Sequence, residues 1–251
     1  MNISENLRIQ REKEYHNKRF TKEIREPTEK YYKITYDCKN FFKNKIFNNG
    51  SNKNVLELGC SKGYFSLEML DKGMNVTGID ISDVAIEQAK QGASSMNFEN
   101  FEFFVMDAAN LKFLDSTFDK VVGGAILHHL DFENALKNIS RVLKKKGSAI
   151  FLEPLGYNPF INLYRKFTPN YRTPDEKPLT NEDLAKFSKY FQNVSITYFY
   201  LTTLLTVPFS KQSFFKSLVR FSNFIDKQLF KIKFVRKYAW QIVIEVSNPR
   251  L

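Results

Sequence analysis

Residues 57–63 read Glu57-Leu58-Gly59-Cys60-Ser61-Lys62-Gly63, an acid two positions before one glycine and a second glycine four positions after it. Glycines in a strand-to-helix turn let the backbone approach a ligand closely, and a helix opening at Gly63 aims its N-terminal amides at the same place. A dinucleotide turn needs glycines at its first, third and sixth positions. Here Ser61 interrupts Gly59 and Gly63, which disfavours a nucleotide-dependent oxidoreductase. A second constellation is His128-His129, two of the chain's three histidines. Histidine is the side chain that exchanges a proton near neutral pH. Glu153 could orient one of these rings or bind a substrate hydroxyl. Three histidines and two cysteines, Cys38 and Cys60, supply neither a metal-ligand set of usual spacing nor a disulfide framework, so no metal is expected.

Alternating short apolar runs and helical patterns place these residues on βαβ units of a parallel sheet. The strands expected are 54–58, 75–79, 101–106, 120–125 and 148–152. Helices are expected over 64–72, from an N-cap at Ser82 to about Gln91, and over 132–144, where Gly147 stops the chain. Residues 154–179 hold five prolines and no clear period. Thr180 caps a helix over 181–191, and 194–200 and 238–246 read as a sixth and a seventh strand. The segment 1–49 is expected to form a helical cap and 50–251 the main domain, with insertions at about 154–180 and 201–237 closing over a substrate.

Val55–Ser66 (VLELGCSKGYFS) resembles the first motif of class I S-adenosylmethionine (SAM)-dependent methyltransferases. Gly78-Ile79-Asp80-Ile81-Ser82, Asp107-Ala108 and the stretch from Phe118-Asp119 through AILHHL (125–130) resemble the next three motifs, in order, on the expected strand ends. The resemblance covers about 54–153. It implies a Rossmann-like α/β fold, a seven-stranded, mostly parallel sheet with helices on both faces. It also implies SAM as cofactor, S-adenosylhomocysteine as product, and a small-molecule substrate. The cofactor residues it implies are Glu57, Gly59, Cys60, Ser61 and Gly63, then Asp80 and Ile81 for the ribose, Asp107 and Ala108 for the adenine end, and Ala125. Ser61 departs from the usual glycine and puts a side chain by the methionine end. An aromatic ahead of the first strand often lies over the cofactor in relatives; Tyr32 is the candidate, with core packing as the alternative. The L-H-H position and the acid after the fifth strand assign His129, His128 and Glu153 to catalysis, with the choice of histidine left open.

Charge and insertions bear on the substrate. Net charge is +11, distributed as +5 over 1–49 (12 basic, 7 acidic), −3 over 50–155 (11 and 14) and +9 over 156–251 (15 and 6). Tyr157, Asn158, Tyr164, Arg165 and Arg172 could line a pocket for an acidic or phosphorylated molecule, or form a surface cap paired to Asp175 and Glu176. Residues 211–231 make a basic, Phe-rich amphipathic helix, either a peripheral membrane element or a face packed on the sheet or over the site. The polar N-terminus carries no apolar leader, so a cytoplasmic protein is expected. The reading is O-methylation of a sugar, isoprenoid, quinone-like or lipid-linked intermediate. An RNA methyltransferase is disfavoured because the loop after the fourth strand lacks an Asn/Asp-Pro-Pro-aromatic pattern and no RNA-binding module is added. A SAM-binding partner protein without catalysis at a membrane surface is the remaining rival.

Overall fold

The computed structural model describes residues 3–22, 31, 33–168 and 176–250. Its strands are β1 (Asn54–Leu58), β2 (Asn75–Asp80), β3 (Phe101–Val105), β4 (Phe118–Gly124), β5 (Leu143–Pro154), β6 (Phe191–Phe199) and β7 (Gln241–Pro249). They form one sheet in the order β3-β2-β1-β4-β5-β7-β6. Every pair from β3 to β5 is parallel, and β7 runs antiparallel between β5 and β6. The helices are α1 (Ile3–Lys22), α2 (Tyr36–Phe47), α3 (Tyr64–Asp71), α4 (Asp83–Ser95), α5 (Phe132–Val142), α6 (Pro159–Phe167), α7 (Asn181–Tyr190) and α8 (Phe215–Leu229).

Strand side chains alternate between faces, and the buried residues sort accordingly. Leu56, Val121, Phe151 and Ile244 pack with α5 and α7. Their neighbours Val55, Val122, Ile150 and Val243 pack with α2, α3 and α4. Runs that are apolar on both sides belong to a doubly covered parallel sheet. Four helix starts follow from side-chain caps, one of them Asn158 at α6. Ser82 accepts from the Ala85 amide, Asp131 from the Asn134 amide, and Thr180 forms a reciprocal capping box with Asp183.

Several boundaries differ from the sequence expectation: β6 starts three residues before 194 and β7 three after 238, the helix after Ser82 runs on to Ser95, and β5 starts well before 148. The helix over 132–144 ends at Val142, and the next strand already begins at Leu143. Gly147 therefore lies inside β5, where the register against β4 shifts, and a Cβ there would meet the Lys144 carbonyl at 2.8 Å. Gly147 permits a bulge; it does not terminate the helix. Among the described residues no helix is long and apolar enough to cross a membrane.

Candidate functional site

The chain runs from β1 outward through β2 and β3, then returns to place β4 on the other side of β1. That reversal leaves a crevice beyond the carboxyl ends of β1 and β4, the place where doubly wound sheets hold ligands. A cavity of about 430 Å³ opens there.

The turn after β1 makes its floor. Gly59 and Gly63 have φ of +66° and +78°, and Ser61 adopts +52° although it has a side chain. This shape lets the Ser61 amide donate to Asp80 Oδ2 at 2.9 Å, while the Ser82 amide donates to Asp80 Oδ1 at 2.9 Å. The carboxylate at the end of β2 is thus fixed by backbone on both oxygens. Gly63 serves packing: a Cβ would strike Ala89 of α4 at 2.9 Å. Asp107, just past β3, accepts from the Ala109 amide through Oδ1. Gly59, Ser61, Asp80, Ile81, Asp107 and Ala108 line the cavity, and so does Ala125 after β4.

The opposite wall is the short turn Leu127–His129. Buried Glu153, from β5, accepts the Ile126 and Leu127 amides at 2.9 and 2.8 Å through Oε1. Its Oε2 lies 2.6 Å from His128 Nδ1. One carboxylate therefore fixes both the turn and the ring, leaving the other ring nitrogen of His128, Nε2, as the one free to act on a ligand. His129 also lines the cavity; its Nδ1 lies 3.4 Å from Glu12 Oε2.

Several expected residues lie off the cavity wall for identifiable reasons. Glu57 is buried and accepts from Ser66 Oγ at the start of α3. Burial, reinforced by the nearby Asp80 charge and opposed by the Ser66 bond, raises its pKa to about 8. Cys60 is turned inward beside Gly78, and burial with the charges of Glu57 and Asp80 pushes its thiol well above the usual range. Asn158 is fully buried as the N-cap of α6, accepting from the Ile161 amide and donating Nδ2 to the Tyr238 carbonyl at 2.7 Å. Tyr157 beside it is partly exposed and off the wall. Tyr164 and Arg165 do reach the cavity, with Arg165 paired to Glu176 at 2.6 Å. Tyr32 and Arg172 lie outside the described residues. Tyr31, one position earlier, lines the cavity and stacks edgewise on Tyr164 and Trp240. The insertion at 201–237 adds nothing to the lining among the described residues; the roof comes from α1 instead.

The sequence predicts a helical cap over 1–49 but marks none of the α1 residues that line the cavity as site residues. Arg8, Glu12, Tyr15, His16 and Arg19 line the cavity from one side of α1, at helical spacing. With Phe20 the only aliphatic or phenyl side chain among the described α1 residues on that wall, no apolar stripe marked the face. Arg8 Nη1 donates to the His129 carbonyl at 2.6 Å, and Asn17 and Lys13 hold Asp83 at the start of α4. Gln241, at the start of β7, was missed as well. Among the described residues, Arg8 Nη2, Asp107 Oδ2 and Gln241 Oε1 are buried on the wall without a hydrogen bond. Buried polar groups are normally paired, so such a cluster marks a surface shaped for a polar ligand. A Cβ added at Gly124 on the same wall would meet nothing within 4 Å.

The model of the family described as a methyltransferase domain matches residues 49–195, and the chain belongs to that family. The ubiquinone/menaquinone biosynthesis C-methyltransferase UbiE of Rickettsia typhi is 35% identical over 110 residues, 41% of this chain and 44% of that protein. The S-adenosyl-L-methionine-dependent Diels-Alderase iccD of Talaromyces variabilis is 28% identical over 179 residues, 68% of this chain and 53% of that protein. The chain thus spans about half the length of the curated relatives it matches. Phosphoethanolamine N-methyltransferase 2 of Haemonchus contortus, solved with S-adenosyl-L-methionine, superposes with a TM-score of 0.62 at 14% identity, over 88% of this chain and 56% of that one. The shared fold is that of the class I SAM-dependent methyltransferases, with a mostly parallel seven-stranded sheet.

Proposed function

We propose that the protein is a SAM-dependent methyltransferase acting on a small, ionisable ring hydroxyl or enol. The observation that carries this reading is His128 on the wall of the cavity that Asp80 and Asp107 also line, its ring held from behind by the buried Glu153 carboxylate. The donor set fits the cofactor. Asp80 is fixed by two amides with oxygen lone pairs left for a cis diol, and Asp107 Oδ2 is a buried acceptor awaiting a donor such as an adenine amine. Asp80, Asp107 and the Gly59–Ser61 turn would hold it. When bound, it supplies a methyl group already activated on a sulfonium.

The protein's own residues then bind, orient and deprotonate the acceptor. Glu153 holds the Nδ1–H tautomer of His128, so Nε2 accepts the acceptor's proton, and the Glu153 charge stabilises the imidazolium that results. Loss of that proton leaves an ambident anion, nucleophilic at oxygen and at the adjacent ring carbon. The relative named a ubiquinone/menaquinone C-methyltransferase favours carbon, and a quinol-like acceptor, over the oxygen expected from the sequence. Tyr31, Tyr164 and Trp240 give an aromatic wall suited to such a ring. Peripheral membrane contact fits this substrate class.

Calorimetry with SAM and S-adenosylhomocysteine tests the cofactor half: both bind, and Asp80→Ala weakens them about 100-fold, on the order of losing two charge-assisted hydrogen bonds. A folded wild type that binds neither overturns the reading. S-adenosylhomocysteine release with quinol acceptors tests methyl transfer. Acceptor conversion without that release would instead mark SAM-dependent chemistry without methyl transfer, such as the cycloaddition in the name of the relative called a Diels-Alderase.

A further inference from the structure

We propose that the segment from Leu205 to Phe234 is a membrane-docking surface that seats on bilayers containing anionic lipid. The central observation is the orientation of α8. Its fully buried positions are Ser222 and Asp226, while Phe221 and Phe224 are 62% and 60% exposed. A surface helix of a globular protein turns its bulky apolar residues inward. Here the inner face is settled by polar bonding: the Asp226 carboxylate accepts the amides of Leu201, Thr202 and Thr203 and both threonine hydroxyls. Phe215 and Val219 complete the contact with the core as half-buried residues. The packing of α8 is thus satisfied without Phe221 and Phe224.

The outward aromatics are not isolated. Leu205 and Phe209 in the turn before α8, Phe214 at its start, and Ile232 and Phe234 after it are each 45–68% exposed. Scattered exposed apolar residues are ordinary, but seven large ones within thirty positions make a patch that marks a contact surface.

Charge selects the occupant. Residues 201–238 carry eight Lys/Arg and one acid, and that acid, Asp226, is buried and turned inward. The outer side therefore presents Lys216, Arg220 and Lys227 beside the aromatics with no acid among them. Basic residues flanking bulky apolar ones are the composition that seats a helix at the headgroup level of anionic membranes. A second copy of this chain would set positive charge against positive charge. The surface is also tied to the site: Asn158, the cap of α6, bonds to the Tyr238 carbonyl, and the Tyr238 ring packs edgewise on Phe234. Helix α6 itself exposes Phe160, Leu163 and Phe167 while Ile161 and Tyr164 line the cavity. Docking here would bring the cavity wall to the interface where a lipid-borne acceptor resides.

Flotation with phosphatidylcholine vesicles, with and without about 30% phosphatidylglycerol, tests this in the full chain. The wild type floats with the anionic vesicles and releases in high salt, and the Phe221→Ser/Phe224→Ser/Phe234→Ser variant binds them at least roughly tenfold more weakly. Unchanged affinity for S-adenosylhomocysteine in that variant certifies its fold, and vesicle binding by a chain that lacks cofactor affinity would still uphold the surface, so the two proposals fail separately. Absence of flotation by the folded wild type overturns the proposal. So does a light-scattering dimer that the triple substitution dissociates, since a second copy would then be the occupant.

Discussion

Ser61 is a non-glycine residue held at φ +52° because its amide must reach Asp80. L-residues in this region carry strain of about 1 kcal/mol or more, and such strain gathers at ligand sites. Ser61→Gly is expected to raise the unfolding midpoint by about 2–4 °C, the shift that roughly 1 kcal/mol produces in a chain of this size. A midpoint that falls would mean the serine side chain contributes more than the backbone strain costs. Glu57 makes a second prediction. Its pKa rises from 4.5 to about 8 on burial, so the folded state binds its proton more tightly than the unfolded chain. The stabilisation tied to that proton is fully present below about pH 4.5 and is lost as pH climbs through about 8. At about 1.4 kcal/mol per pKa unit the ceiling is roughly 5 kcal/mol. Glu57→Gln, which keeps a partner for Ser66 without titrating, should flatten the fall in stability between pH 5 and 8. Denaturant melts across that range, wild type against variant, decide it; parallel curves would place the ionisation elsewhere.

Elements carry the site because the residues at their ends are fixed by caps, turns and register. Glu153 links three of them: β5, the turn after β4 and the His128 ring. In Glu153→Gln the amide oxygen can still take the Ile126 and Leu127 protons, but its NH2 group would face His128 Nδ1 and force the Nε2–H tautomer. SAM affinity should stay within about threefold while kcat drops on the order of 100-fold, the usual worth of a positioned base. An unchanged kcat would leave the pair a purely structural clamp. The strands leading to Asp80, Asp107 and Glu153 were legible as short, mostly apolar runs with an acid at or just past their ends, including edge strand β3, which is largely exposed. Helix α1 was legible as a helical cap but not as a cavity wall, since its cavity side is mostly polar, with Arg8, Glu12 and His16 on it. The outward Phe221 and Phe224 were unreadable for the opposite reason. Helical spacing of apolar residues tells of a face, and only the contacts of Asp226 decide which way that face turns.

At the scale of the whole molecule, α1 stands apart from everything it covers. No residue of α1 belongs to either hydrophobic core cluster among the described residues. It is held at one end by Lys13 and Asn17 on Asp83 and Ser82, and at the other by Arg8 and Glu12 at His129. Elements held mainly by polar contacts, with apolar side chains only half-buried as Ile9 and Phe20 are here, open below the global unfolding free energy. A roof of that kind can lift to admit a cofactor and an acceptor, then regain its contacts once Arg8 Nη2 finds a partner in the bound ligand. Backbone amides of α1 should therefore exchange with deuterium far faster than those of β1 and β4 in the free protein. Saturating S-adenosylhomocysteine should slow them by tenfold or so, because a ligand that binds only the closed form shifts that local equilibrium toward it. Asp83→Ala removes the anchor at α4 without touching the cavity wall. It should speed exchange in α1 alone and weaken acceptor binding more than it lowers kcat. If α1 in the free protein is protected as well as the central strands, the roof is part of the rigid body, and entry must run past α6 and the 176–178 segment instead.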